Sequence, residues 1–193
     1  FIIFNLPLPF LALQILWLNL ITDSLPAIAL GMRPAMSGIM QKKPREKNEN
    51  IFKQIYLFLI IGTILQIIGG FVLFSYGMHI DSNLGIDTFD LSEKSYARTM
   101  LLSAGVLFEI FLAIACNSDG KYKFKSLFSN RWLNYSVLLV LGLQLFVVYT
   151  PFMQTIFKLA PLSFGSWVYC LIYASSSFLV YPIVNGIQKL LKK

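Results

Sequence analysis

The chain has 193 residues, 56% hydrophobic and 13% charged, with a net charge of +7 and a mean hydropathy of +0.68. Soluble domains carry about 25% charged residues, so this composition excludes a soluble globular fold and a disordered chain and points to an integral membrane protein. The surplus Lys and Arg residues sit between apolar stretches rather than among them, which argues against a nucleic-acid partner.

A bilayer core needs roughly 20 apolar residues per helix. Spans are predicted at about 11–31, 54–77, 97–116, 132–150 and 166–188, giving an all-α polytopic membrane protein with about five transmembrane helices. Phe1–Phe4 reads as the end of an earlier helix, and Phe1 is not a start residue, so a fragment cut inside or just after such a helix is expected. No basic segment of a signal peptide precedes the first apolar run. Asn5–Pro9 (Asn-Leu-Pro-Leu-Pro) is predicted to be a tight outer turn, because neither proline continues a helix.

The first span carries three polar residues at its middle. Asn19, Thr22 and Asp23 are spaced i, i+3, i+4, which puts them on one face of an α-helix. A charged carboxylate at that depth costs about 2.5 kcal/mol or more. Pro26 follows; it has no amide hydrogen, and its ring clashes with the carbonyl of Thr22. Carbonyls released inside a membrane need water, a side chain or an ion. One carboxylate, one amide, one hydroxyl and freed carbonyls form an oxygen-rich pocket suited to a hard cation such as Ca²⁺. Transition metals would favour His or Cys. The plainer alternative for Asp23 is a proton relay or a polar pair between helices, with no cation.

The gap at 32–53 is basic, with Arg33, Lys42, Lys43, Arg45, Lys47 and Lys53; a second basic gap holds Lys121, Lys123, Lys125 and Arg131, and the tail holds Lys189, Lys192 and Lys193. The alternate gaps carry Asp81, Asp87, Asp90 and Glu93, with Lys94, Arg98 and Lys158 as their only bases. This alternation places the basic gaps and the C-terminus in the cytoplasm and makes 78–96 the longest outer loop. His79, the one histidine, is expected to be solvated in that loop.

In the second span, Gly62, Gly69 and Gly70 permit close helix approach. The third contains Glu109, an acid with no base within two helical turns, which needs a partner from another helix. A cation shared with Asp23 is one answer; a proton, or a bond from a protonated Glu109 to a serine or carbonyl, is the other. Cys116 and Cys170 form neither a disulfide framework nor a CxxC pair, and Cys116 reads as a small buried hydrophobe. The last two spans contain no acid and read as packing helices, with Ser175, Ser176 and Ser177 bonding to neighbours or to their own carbonyls. Trp132 and Tyr135, Tyr149 and Phe152, and Trp167 and Tyr169 gather at the expected interfaces.

Trp17-Leu18-Asn19-Leu20-Ile21-Thr22-Asp23-Ser24-Leu25-Pro26-Ala27, continuing to Ala29-Leu30-Gly31, closely resembles the sixth transmembrane helix of calcium-type P-type ATPases, the sarcoplasmic-reticulum-type pumps and their prokaryotic counterparts. The resemblance implies that Asn19, Thr22 and Asp23 bind calcium. Met40, Pro44, Arg45 and Ile51-Phe52 resemble the following cytoplasmic loop, which in the family contacts the phosphorylation domain. Ala97-Arg98-Thr99-Met100 resembles the start of the eighth helix, which puts a further calcium ligand, part of the first of two sites, at Glu109. Tyr149, Pro151, Phe157, Pro161 and Leu162 resemble the outer loop between the last two helices.

There are departures. The path from Glu109 to Asn117-Ser118 is slightly longer than in the muscle-type pump. Asn19 stands where the sodium–potassium type has an acid, and Thr22 where plasma-membrane and secretory-pathway calcium pumps carry Met. The Asp-Lys-Thr-Gly-Thr phosphorylation motif, the nucleotide-binding domain and the fourth and fifth helices are absent from these residues.

The resemblance therefore implies that residues 1–193 are a single C-terminal cation-ATPase membrane domain, the sixth to tenth helices, with no catalytic residue of its own. Its partners would be the earlier transmembrane helices, the phosphorylation, nucleotide-binding and actuator domains, and membrane lipid. Ca²⁺ would be the transported ion, with Mg²⁺ and ATP entering only through the other domains. Two alternatives stay open: a stand-alone membrane subunit or scaffold without transport, and the same pump type moving H⁺, Na⁺ or Mn²⁺. Short loops and a Lys-rich tail suggest a prokaryotic plasma membrane.

Overall fold

Long apolar runs without water to hydrogen-bond their backbone can satisfy it only within helices or closed barrels. A computed structural model describes residues 6–33, 51–117 and 130–191, and it is all-helical. Among the described residues there are six helices: α1 (Ala12–Gly31), α2 (Ile51–Asn83), α3 (Tyr96–Asn117), α4 (Arg131–Tyr149), the short α5 (Pro151–Phe157) and α6 (Phe164–Gln188, continuing to Leu191). All but α5 are long and apolar enough to cross a membrane. The Lys-rich stretches at 42–47, 121–125 and 192–193, the Phe1–Phe4 segment and the Met40–Arg45 motif lie outside the described residues.

The central helix is α3. In its most apolar stretch 72% of the residues are buried, against 22–33% in the other spans. Met100, Ala104 and Leu107 pack with Leu73 of α2 and with Cys170 and Ala174 of α6. Val106, Ile110 and Ile114 pack with Val140 of α4 and with Leu18, Ile21 and Leu25 of α1. Cys170 is buried and donates to the Met100 carbonyl at 3.6 Å, while Cys116 is only half-buried.

Small residues set how close α2 and α3 come. A Cβ on Gly77 would meet the Ala97 backbone, and one on Gly69 would strike the Tyr173 ring of α6. Gly70 faces Leu101, but Gly62 faces open space, so one of the three glycines expected at contacts makes none, and Gly77 takes its place. Gly77→Leu is expected to lower the unfolding midpoint of the detergent-solubilised protein, by about 1–3 kcal/mol of overpacking. Gly62→Ala should leave the midpoint unchanged or raise it slightly, since alanine is the better helix former. Equal melting of the two variants would contradict this packing.

The second helix runs to Asn83, so the irregular loop starts later than the charge pattern suggested. It closes with Gly85 at φ 72°, the Gly85 amide on Ser82 (3.2 Å) and the Ile86 amide on Asp81 (2.9 Å). This is the paired end-bond pattern that a left-handed glycine allows. His79 therefore lies in the last turns of a helix, exposed.

Asp81, read from sequence as a loop acid, is fully buried at the junction with α3. Its Oδ1 accepts the Tyr96 amide (2.7 Å), and its Oδ2 accepts the Ala97 amide (3.0 Å) and the Ser95 hydroxyl (2.8 Å). The two amides are orphan donors at a helix start. Arg98 is also fully buried, donating to the carbonyls of Thr88 (2.5 Å), Asp90 (3.0 Å) and Glu93 (3.4 Å). The loop 84–95 is thus folded around one guanidinium. On its outside, the amide and hydroxyl of Ser92 hold the Asp90 carboxyl below the usual range.

The same end of the bundle gathers 150–163. The Ser95 amide bonds to the Lys158 carbonyl (3.3 Å), the Ala160 amide to the Thr99 hydroxyl (2.8 Å), and the Tyr96 hydroxyl lies 2.7 Å from that of Ser166. Trp167 Nε1 donates to the Tyr149 hydroxyl (2.7 Å), which donates to the Leu162 carbonyl (2.9 Å), so these two aromatics, taken from different expected interfacial groups, form a structural clasp. In α6 the ladder tightens to a 3₁₀ turn over Ser176–Leu179. Ser175 bonds back to the Leu171 carbonyl (2.8 Å), as expected, but the buried Ser176 and Ser177 hydroxyls have no partner among the described residues.

Candidate cation site

The first helix starts where Pro7 and Pro9 are behind it. Gln14 anchors that start: its Oε1 accepts the Leu11 amide (3.0 Å), and its Nε2 donates to the Phe157 carbonyl (2.8 Å). At the opposite end, Asn130 caps α4 and donates to the Ala29 carbonyl (2.8 Å). Between these fixed ends the backbone leaves the α register. Leu18–Asp23 form a π-helical turn, and the α-helix resumes at Ser24 and continues through the buried Pro26.

The polar residues and the proline explain this turn. Pro26 has no hydrogen for the Thr22 carbonyl and its ring crowds that oxygen; widening the preceding turn shifts the bonding to i→i+5 and lets the helix continue. Two hydroxyls bond to carbonyls in the turn: Thr22 Oγ1 lies 2.5 Å from the Leu18 carbonyl and Ser24 Oγ donates to that of Asn19 (3.1 Å). The helix therefore continues through Pro26, and the register change lies in the turn before it, at Leu18–Asp23.

The register change also separates the residues whose α-helical spacing puts them on one face. A wider turn rotates each residue by less than the α-helical step, so Thr22 swings away from the line joining Asn19 and Asp23. Thr22 is 2% exposed and faces α3, whereas Asn19 and Asp23 are exposed. Thr22 Oγ1 lies 2.7 Å from Oε2 of the half-buried Glu109. The structure thus brings together two of the four candidate ligands, one from each helix. The side chains of Asn19 and Asp23 make no hydrogen bond among the described residues and are exposed on the same π turn. No group of three His, Cys, Asp or Glu side chains able to hold a metal occurs among the described residues.

Sequence reading assigns no role to Gln14 and Gln144, which organise this region, and counts Asp81 and Arg98, buried at the α2–α3 junction, only as outer charges. An amide inside an apolar span was the available signal for the first two, since such a group is costly unless partnered. Trp17 Nε1 donates to Gln144 Oε1 (3.0 Å), and Gln144 Nε2 donates to Ser103 Oγ (3.1 Å), joining α1, α4 and α3.

A bundle of five membrane-length apolar helices, with an acid and a hydroxyl meeting between two of them, defines an integral, multi-pass membrane protein with a polar centre. Residues 7–187 match the family described as "Cation transporting ATPase, C-terminus", and the chain belongs to that family. It is 34% identical over 179 residues to calcium-transporting ATPase 1 of Saccharomyces cerevisiae, covering 92% of this chain and 18% of that protein. It is 33% identical over 190 residues to calcium-transporting ATPase type 2C member 2 of Mus musculus (98% and 19%) and 31% identical over 163 residues to a calcium-transporting ATPase of Bacillus subtilis (84% and 17%). The chain thus spans less than a fifth of the length of these relatives.

Proposed function

We propose that residues 1–193 are the C-terminal membrane domain of an ATP-driven P-type pump that exports Ca²⁺ from the cytoplasm, with α1, α2, α3, α4 and α6 as its sixth to tenth transmembrane helices. Asn19, Thr22, Asp23 and Glu109 supply oxygens to the ion, and the π turn before Pro26 aims them. The observation that carries this reading is the Thr22–Glu109 contact, which joins two candidate ligands across two helices. Relatives that bear the name calcium-transporting ATPase support the choice of ion.

The exposed side of the π turn supports a divided site. A carboxylate left facing lipid at mid-span is costly, so Asp23 and Asn19 need cover from outside this chain. Earlier helices of the same pump, contributing further oxygens, would provide it. ATP hydrolysis, with its Mg²⁺, would occur in the phosphorylation and nucleotide-binding domains and reach the site through motion of the actuator and the linked helices. The positive-inside pattern supports a cytoplasmic C-terminus, and the composition of the loops suits a prokaryotic plasma membrane.

Hydrogen-bond counting favours a second ion at the same position. The Thr22 hydroxyl has one hydrogen but touches two acceptors, the Leu18 carbonyl and Glu109 Oε2. A proton on Glu109 resolves the contact when no cation is present, so H⁺ is the alternative cargo or the exchanged ion.

The test uses the full-length pump in vesicles. Phosphoenzyme formation from ATP is measured against free calcium for wild type and Asp23→Asn. Loss of calcium dependence in Asp23→Asn is the expected result, as the substitution removes the exposed negative charge of the site while keeping its shape. An unshifted calcium curve would overturn the site assignment. Stimulation of the wild type by sodium or pH, but not by calcium, would overturn the ion.

A further inference from the structure

We infer that Gln144 is a positioning residue for the Thr22–Glu109 pair, acting through Trp17 to hold α1 against α3; the inference rests on the proposed cation site for its functional consequence. Gln144 is 1% exposed in the last third of α4, a helix whose other inward side chains are mostly apolar. It uses both ends of its amide on different helices, accepting from Trp17 Nε1 at 3.0 Å and donating to Ser103 Oγ at 3.1 Å. Ser103 is fully buried on α3, one helix with Glu109, and Trp17 is the residue immediately before the π turn that carries Thr22.

The position along α1 gives this bridge its importance. A π turn inside an α-helix is rare and commonly marks a functional site. The end of α1 near Ala29 is tied to Asn130, and its beginning, before the π turn, is tied by Gln14 to Phe157 and by Trp17 to Gln144. The Trp17 ring also packs edge-on against Phe157, with centroids 5.4 Å apart. Of these ties only Gln144 reaches α3 itself, through Ser103. Without the bridge, Leu18 would still pack on α3, but the start of the turn would lose its directional tie to that helix, leaving the Thr22–Glu109 contact to set the rotation by itself. Apolar contact is non-directional; the two amide bonds are directional.

The test replaces Gln144 with leucine and, separately, Trp17 with phenylalanine, which removes the same bond and retains an aromatic ring. In the full-length pump both variants are expected to raise the calcium concentration for half-maximal phosphoenzyme formation by about three- to tenfold, with the maximum level retained. The double variant should be no worse than the more affected single one. Ion-independent evidence comes from Leu18→Cys paired with Gly105→Cys, positions that adjoin across α1 and α3. Oxidative cross-linking of this pair should fall at least by half when Gln144→Leu is added. Single-cysteine controls identify the bond, and size-exclusion profiles confirm that each variant is folded.

The proposal is overturned if cross-linking is unaffected, or if Gln144→Leu leaves the calcium curve unshifted while Asp23→Asn abolishes it. It is also overturned if the effects of the two single substitutions add. If Asp23→Asn has no effect, the cation-site reading fails, and cross-linking alone decides whether Gln144 orients α1.

Discussion

Glu109→Gln in the full-length pump is expected to raise the calcium requirement for phosphoenzyme formation by about tenfold or more. The substitution keeps the volume and one oxygen of the side chain, so the Thr22 hydroxyl, 2.7 Å from Oε2, retains an acceptor. What it removes is the negative charge that Glu109 offers a bound ion between α1 and α3, where little water is available to take over its role. Bonds to charged groups are stronger than neutral ones, so the loss should exceed that of Thr22→Val, which deletes a neutral hydroxyl at nearly constant shape. The order Glu109→Gln above Thr22→Val is therefore part of the prediction. Titration of phosphoenzyme against free calcium in vesicles measures both. Overlay of the Glu109→Gln curve on the wild type would remove Glu109 from the site. A larger effect of Thr22→Val would mean that the hydroxyl shapes the π turn rather than serving the ion.

Asp81→Ala is expected to cost about 3 kcal/mol of stability. The carboxylate is fully buried and serves the Tyr96 and Ala97 amides and the Ser95 hydroxyl at 2.7–3.0 Å. Alanine leaves these donors without a partner, and buried unpaired groups retain their whole desolvation cost. Asp81→Asn should lie in between: its amide offers one acceptor oxygen where the carboxylate uses two. Thermal unfolding of the detergent-solubilised protein ranks the three. Melting of Asp81→Ala at the wild-type temperature would show that water replaces the carboxylate and that the α2–α3 cap is not required. Arg98 adds to the same junction by organising 84–95 through its carbonyls, so Asp81 and Arg98 substitutions should not be additive.

Both predictions concern acids that the sequence displayed, but it described them unequally. Glu109 stood out because an isolated acid deep in an apolar run has no local explanation, and its need for a partner on another helix followed directly. Asp81 lay near the end of a run among other acids and looked like one more loop charge. Its role depends on the amides at the start of the next helix, fourteen or more residues away in sequence, and no local pattern announces that. Arg98 was counted among the outer bases for the same reason. The glycines of α2 show a similar limit: spacing suggested close approach, yet only the neighbouring helix decides that Gly77 and Gly69 are crowded and Gly62 is not.

By itself the sequence determined that this protein is a multi-pass helical bundle, how many membrane-length spans it has, and which helix holds the unusual polar cluster. Hydropathy, helix length and proline chemistry are local properties, and a bilayer leaves few other ways to satisfy the backbone. Tertiary structure decided which side of that cluster faces inward. The α-helical spacing put Asn19, Thr22 and Asp23 together; the π register turns Thr22 to Glu109 and leaves Asn19 and Asp23 facing out. That choice depends on where the ends of α1 are tied, at Gln14, at Gln144 through Trp17, and at Asn130, by bonds to residues more than a hundred positions along the chain.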